Sequence, residues 1–353
     1  MRHAINQRTI ALLVQEIIRA IIFKSGSCNV IVPNTNNASF NNDEALWISS
    51  ELGDKLLVMM ELHIVNDPPG SGAAGPGGIT FVLTEANFRY ELIKDYLAVS
   101  MGTFWSVFGI QNQDRLGAQN LFSTMPMASG AYLTHFNEKG LRLDGHFELN
   151  GWGFNYVMSL GSGFNAYDIR GYNSFDLNSN NAFNTRVSVF PGFQKDLNIG
   201  FSYSNGLLFK QDLTASADSQ EFFDNNFEAY GLDALWQIND LKVRSYLISS
   251  TQKLANSNET IDLNALGWMS EVSYRISTKG KLGIDAIIPK FRYDFLDKAE
   301  FDSQLSDKYQ TTGLGLNFQI QNNFILNVDY NWINEEKIKL NNDRFILRAS
   351  VNF

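Results

Sequence analysis

The side chains that could do chemistry in this 353-residue chain are charges set at every second position. Arg89, Arg142, Arg186, Lys242, Arg244, Arg275, Lys290, Arg292, Arg344 and Arg348 alternate with apolar neighbours. So do the carboxylates Glu61, Glu85, Glu91, Asp144, Glu148, Asp233, Glu271, Asp285, Asp294 and Asp329. In an extended chain that spacing puts charge on one face and hydrocarbon on the other. A charged wall of mixed sign, enclosing water, sorts small solutes by charge through the field it sets up.

The residue types needed for covalent or metal chemistry are not so arranged. No Gly-x-Ser-x-Gly, His-Glu-x-x-His or Gly-x-x-x-x-Gly-Lys sequence occurs. His3, His63, His135 and His146 share no ligand spacing, and Cys28 stands alone, which forbids an internal disulfide and a cysteine metal cluster. The run Gly161-Ser162-Gly163-Phe164-Asn165-Ala166 imitates a dinucleotide fingerprint, but no helical pattern follows it. The nearest Ser–His pair is His146 with Ser159, facing each other only loosely across Asn150-Gly151. We therefore expect no enzyme activity, no cofactor and no metal.

The elements that must hold those charges are strands. From Ala45 onward apolar and polar residues alternate in segments of about ten, the length of a tilted membrane-crossing strand. Phe345, Leu347, Ala349, Val351 and Phe353 share one face of the last segment, opposite Arg344, Ile346, Arg348, Ser350 and Asn352. The same split separates Phe324, Leu326, Val328, Tyr330 and Trp332 from Asn327, Asp329 and Asn331, and it aligns Trp152, Phe154, Tyr156, Met158 and Leu160. Helical spacing would scatter these residues.

Connections alternate between short and long. Short ones fall at Gly53-Asp54, Ile93 to Asp95, Asn150-Gly151, Gly192 to Lys195, Asn239-Asp240, Ser277 to Lys281 and Gln321 to Asn323. Long polar ones span Asn34 to Glu44, Asp67 to Gly77, Val107 to Lys139, Phe164 to Asn180, Asn205 to Asn225, Gln252 to Ile261, Leu296 to Lys308 and Glu335 to Asn342. Asn-Gly is a strong hairpin signal, and short turns at one end with long loops at the other mark a transmembrane barrel. Ala45 to Leu52 runs into a short turn, so a strand must precede it, and Lys24 to Pro33 is the candidate. The reading is an all-β, transmembrane antiparallel β-barrel of about sixteen strands, with fourteen and eighteen as alternatives. It occupies 24–353 as one domain behind an N-terminal segment, 1–23. That segment is basic from Met1 to Arg8 and apolar from Ile10 to Phe23, but Gln15, Glu16 and Arg19 interrupt it. It is an atypical signal or a short helix. A break in parity between Ala286 and Phe291 further predicts a bulge near Ile287 to Pro289.

Composition agrees. Aromatics at 13%, with 27 glycines and only 7 prolines, suit many paired strands. A net charge of −9 without a basic block argues against nucleic acid. No run reaches the roughly 20 apolar residues of a membrane helix. The mean hydropathy of −0.17 conceals the lipid-facing set, because only alternate residues belong to it.

Three places resemble the bacterial porin superfamily, most of all the phosphate-selective O/P-type and DcaP-type porins. Leu97-Ala98-Val99-Ser100-Met101-Gly102-Thr103-Phe104 with Val107-Phe108-Gly109 is similar to the glycine- and aromatic-rich strand before the long third loop. Ile288-Pro289-Lys290-Phe291-Arg292-Tyr293-Asp294 is similar to a Pro-x-x-Arg-Tyr strand, and Phe353 to a terminal insertion signal. The resemblance implies a bacterial outer-membrane location, outer-membrane lipid and lipopolysaccharide as surroundings, a homotrimer, and a third loop folded inward. Such a protein is a water-filled channel for passive diffusion of small hydrophilic solutes.

The expected pore-lining and selectivity residues are Arg89, Arg142, Arg186, Arg244, Arg275, Lys290, Arg292, Arg344 and Arg348. Asp114 and Arg115, together with His135 and Glu138, are the polar candidates from the third loop. Arg275 is expected to join Lys290 and Arg292 in a basic patch, and anion preference follows if that patch and the Arg344/Arg348 face meet the solute. No dense run of Arg and Lys supports carrying phosphate selectivity over. A channel specific for phosphate or organic acids, and a surface adhesin or structural barrel, are the alternatives.

Overall fold

The computed structural model describes residues 21–33, 39–66, 79–110, 120–132, 137–161, 181–194, 196–207, 224–255, 260–278, 280, 283–298, 307–320, 324–337 and 342–351. The strands are β1 (Ile21–Pro33), β2 (Ser39–Leu52), β3 (Leu56–Asn66), β4 (Ile79–Ile93), β5 (Leu97–Trp105), β6 (Asn137–Leu149), β7 (Trp152–Gly161) and β8 (Ala182–Phe190). They continue as β9 (Leu197–Leu207), β10 (Asp224–Ile238), β11 (Leu241–Ala255), β12 (Thr260–Tyr274), β13 (Ala286–Lys298), β14 (Asp307–Ile320), β15 (Phe324–Glu335) and β16 (Arg344–Val351). Each pairs antiparallel with the next. β16 pairs with β1 from Gly26↔Val351 to Pro33↔Arg344, so the order of pairing returns to its start. A sheet closed in this way leaves no unpaired edge, the condition for β structure inside a bilayer.

The two faces of this sheet invert the pattern of a soluble protein. Leu83, Phe88, Met101, Leu141, Leu160, Phe201, Leu232, Leu247, Leu266, Leu314 and Leu316 are exposed on the outside. Ser202, Asp233, Arg244, Glu271, Arg292, Asn327, Asp329 and Arg348, at the intervening positions, are buried within. Aromatic pairs stand on the outer face, with Trp152 against Phe193 at 5.8 Å, Tyr203 against Tyr230 at 5.2 Å and Tyr330 against Trp332 at 4.6 Å. Aromatic girdles of this kind border the apolar band of a transmembrane barrel.

The expected short turns at Gly53-Asp54, Ile93 to Asp95, Asn150-Gly151 and Asn239-Asp240 are present, while Lys195, Lys279, Lys281 and Gln321 to Asn323, from the other three, lie outside the described residues. At Asn150-Gly151 both residues have positive φ, 51° and 79°, which the two-residue hairpin requires. Three expectations are corrected. The connections at Asn34 to Glu44 and Gln252 to Ile261 shrink to 34–38 and 256–259, because the polar residues there extend the ladders of β1–β2 and β11–β12. Polar side chains do not end a strand whose backbone hydrogen bonds continue.

The bulge near Pro289 does not form. Ser273↔Lys290 and Ile276↔Ile287 lie on one register, so Ile276–Ser277 continues β12 after a gap. That gap falls where Tyr274 meets Pro289, which has no N–H to give, while the Arg275 N–H turns away to the Asp240 carbonyl. Parity is kept, so Ala286 and Ile288 face inward with Lys290. A bulge does occur in β4, where the register shifts between Glu61↔Glu85 and Leu62↔Leu83 and turns both Thr84 and Glu85 inward. Residues 1–20, and with them most of the expected N-terminal segment, lie outside the described residues, as does Phe353. β1 starts at Ile21, ahead of the expected Lys24.

Candidate functional site

The third long connection, between β5 and β6, is folded into the barrel over its described residues, 106–110 and 120–132. Its first part is seated on β9 and β10: the Gly109 N–H donates to Ser202 Oγ at 2.9 Å, and the Phe108 ring lies over Gly231, where a β-carbon would meet it at 3.0 Å. Phe108 stacks on Tyr132 from the end of the loop, with ring centres 3.9 Å apart and planes 8° apart, and Tyr132 meets the edge of Phe227. The Tyr132 hydroxyl reaches Asn184 Oδ1 and Ser204 Oγ. Burial, reinforced by the charge of Glu138, holds its phenol well above the ordinary value, so it stays a neutral donor.

The middle of the loop is fastened by charge. Lys290 Nζ donates to the Leu121 carbonyl at 2.5 Å and pairs with Asp329 at 2.5 Å, while Asp329 accepts the Ser123 N–H at 2.7 Å. Arg292 donates to the carbonyl and hydroxyl of Thr124 at 2.7 and 2.6 Å, and Arg348 to the carbonyls of Asn120 and Phe122 at 2.6 and 3.3 Å. The Phe122 ring lies beneath Lys290 and Arg292, each 4.6 Å from its centre. Cations taken out of water need acceptors, and here the loop backbone supplies carbonyls to all three.

A 3-10 turn, Met127–Ala131, closes the contact. Asp294 accepts the Ala128 N–H at 3.2 Å, the Ser250 hydroxyl donates to the Ala131 carbonyl, and Gly267 leaves room for the turn. A β-carbon at Gly267 would overlap the Ala128 carbonyl. Overpacking of this kind costs about 1–3 kcal/mol. Gly267→Val is thus expected to lift the turn and lower the thermal midpoint, whereas Leu266→Val on the outer face lowers it less.

At the loop's return into β6, Glu138 accepts from Ser159 at 2.5 Å and from Asn184 at 2.7 Å. At the end of β5, Trp105 donates to Glu61 of β3 at 2.8 Å. Ser159 is therefore engaged with Glu138 and stands opposite Arg142, while His146 stands opposite Asn155. Four residues of strand, roughly 13 Å, separate Ser159 from the position facing His146, so the two form no catalytic pair. Among the described residues no group of three metal-ligating side chains occurs.

The structure sorts the sequence-predicted residues by their surroundings. Lys290, Arg292 and Arg348 come together beneath the loop. Arg275 does not join them: Lys290 faces Ser273 and Arg292 faces Glu271, while Arg275 is exposed near the short-turn end and donates to Gln319. Arg344 is exposed at the other end of β16, apart from buried Arg348. Arg186 pairs with Asp233 at 2.6 Å across Gly200, and Arg244 with Glu271 at 2.7 Å. Arg89 and Arg142 flank Asp144 at 2.9 and 3.3 Å, beside a cavity of about 440 Å³ that Glu91, Asp95, His146 and Asn155 also line. Asp114, Arg115 and His135 lie outside the described residues.

Sequence reasoning missed the apolar seat inside the barrel: Phe227, Ala229, Tyr246, Ile248 and Met269 against Phe108, Ile110 and Tyr132. Its trace in the sequence is a lapse of alternation in Tyr246-Leu247-Ile248, where both faces are apolar.

No family model and no curated protein matches the chain by sequence. Solved structures do match its backbone. The outer membrane channel DcaP of Acinetobacter baumannii superposes with a TM-score of 0.62 at 11% identity, over 94% of this chain and 96% of that one. An anion-selective porin from Comamonas acidovorans gives 0.62 at 11% identity, over 94% and 98%. OmpT of Vibrio cholerae, in its trimer form, gives 0.61 at 8% identity, over 94% and 98%. A barrel of sixteen antiparallel strands with its third long connection folded inside, this chain has the fold of the bacterial outer-membrane porins.

Proposed function

We propose that the chain is a porin of a bacterial outer membrane, a non-enzymatic, water-filled channel through which small hydrophilic solutes diffuse. One observation carries the reading: large apolar side chains are exposed on the outside of β2 to β16 while ionised and amide side chains are buried inside. That distribution is stable only where hydrocarbon surrounds the barrel and water or polar loop fills it. Assembly as three copies is supported by the trimer form in which OmpT was solved.

An anion preference of this channel rests on Arg89 and Arg142. The guanidinium groups beneath the loop are occupied by carbonyls and carboxylates, whereas these two share one carboxylate and keep 32% of their side-chain surface open. Single-channel recording in planar bilayers under a salt gradient tests both levels. The channel reading predicts stepwise conductance, and a protein that conducts nothing removes it. Arg89→Gln with Arg142→Gln is expected to lower the anion-to-cation permeability ratio by roughly twofold or more, since charged clefts carry potentials of several kT. An unmoved zero-current potential would exclude these arginines from ion selection.

A further inference from the structure

We propose that the wall of β4 to β8 carries a subsite for short zwitterionic peptides, a reading that rests on the chain being a channel. The inner wall bears a belt of ion pairs. Arg186–Asp233, Arg244–Glu271, Lys290–Asp329 and Arg292–Asp294 are sealed, with side chains no more than 7% exposed. The Arg89–Asp144–Arg142 group differs from them, with 32%, 16% and 32% of its side-chain surfaces open to the 440 Å³ cavity. That volume lies within the range of small-molecule sites, about 300–1,000 Å³. A guanidinium carries five N–H donors, so two arginines sharing one carboxylate retain donors for a second.

Register orders the cavity along the barrel axis. Arg89 and Arg142 both face Ser100 and form one row. Glu91 and Asp144 both face Ala98 and form the next row toward the short turns. Asp95 lies in the turn beyond, where its carbonyl accepts the N–H of His146 and its own N–H donates to Glu91 at 2.9 Å. Two to four residues of strand separate the basic row from Glu91 and from the level of Asp95, about 7–13 Å.

A simple anion would satisfy the arginines and meet repulsion from Glu91 and Asp95. A molecule with a carboxylate at one end and an ammonium at the other satisfies both. The termini of an extended di- or tripeptide are about 7–11 Å apart, matching the rows, whereas those of a free amino acid are too close. The carboxylate is assigned to Arg89 and Arg142, the ammonium to Glu91 and Asp95, and His146 and Asn155 border the backbone between them.

The test is block of ion current through the full-length protein in planar bilayers by triglycine, compared with N-acetyl-triglycine and triglycinamide. Triglycine is expected to block at roughly tenfold lower concentration than either derivative, the loss of one charge-assisted contact. Glu91→Gln is expected to abolish its advantage over the acetylated form, and Arg142→Gln its advantage over the amide. If the Glu91→Gln barrel fails to fold, the ligand series on the unmodified protein still decides. A protein that passes no current overturns the channel reading itself. A conducting channel blocked equally well, or better, by N-acetyl-triglycine keeps that reading and overturns the peptide subsite in favour of a plain anion site.

Discussion

Asp329→Ala is expected to release the third loop and to cost the folded barrel about 3–5 kcal/mol, the penalty for leaving a buried cation without its partner. Neither Lys290 nor Asp329 exposes any side-chain surface, and each also binds the loop, at the Leu121 carbonyl and the Ser123 N–H. With the carboxylate gone, the ammonium regains water only if residues 120–124 lift from the wall. The observable consequences are a lower thermal midpoint together with larger, noisier single-channel conductance. Lys290→Met is expected to move both quantities in the same direction.

The double change Lys290→Met with Asp329→Leu distinguishes charge from shape. An apolar replacement of both partners removes the unpaired charge, so most of the stability is expected to return. Conductance is not expected to return with it, because the Leu121 carbonyl and the Ser123 N–H remain without these partners. If Asp329→Ala melts and conducts as the unmodified protein does, the pair does not hold the loop.

Leu232→Arg probes the other face. Leu232 is 54% exposed near the middle of β10, between outward-facing Phe201 and Leu247 on the neighbouring strands. Arginine facing lipid near the bilayer midplane costs about 2–4 kcal/mol. The variant is expected to insert poorly into lipid vesicles, read as the fraction protected from added protease. Asn155→Arg, exposed beside the inner cavity, is expected to insert normally. Equal insertion of the two would mean that outer and inner faces meet the same solvent, contrary to the membrane reading.

The candidate residues were legible to different depths. The inward placement of Arg89, Arg142, Arg186, Arg244, Lys290, Arg292 and Arg348 follows from parity alone, since side chains on a strand alternate whatever the strand pairs with. The break near Pro289 misled because parity was read through a proline, and the ladder register shows no residue inserted there. The expected partnership of Arg275 with Lys290 failed for a related reason: a turn's position does not determine which residues of its two strands face each other, and here Ser273 takes that place.

Alternation with period two is a local property, so the chain's own order of residues determined the strand faces, the short turns and the inward charges. Which of those charges meets water was decided only by the tertiary structure. Arg292 is covered by Thr124, 168 residues away along the chain, and Arg348 by Asn120, 228 residues away. No pattern confined to one strand encodes a partner delivered by a distant loop, and whether a guanidinium lines a channel or clasps a carbonyl depends on that partner.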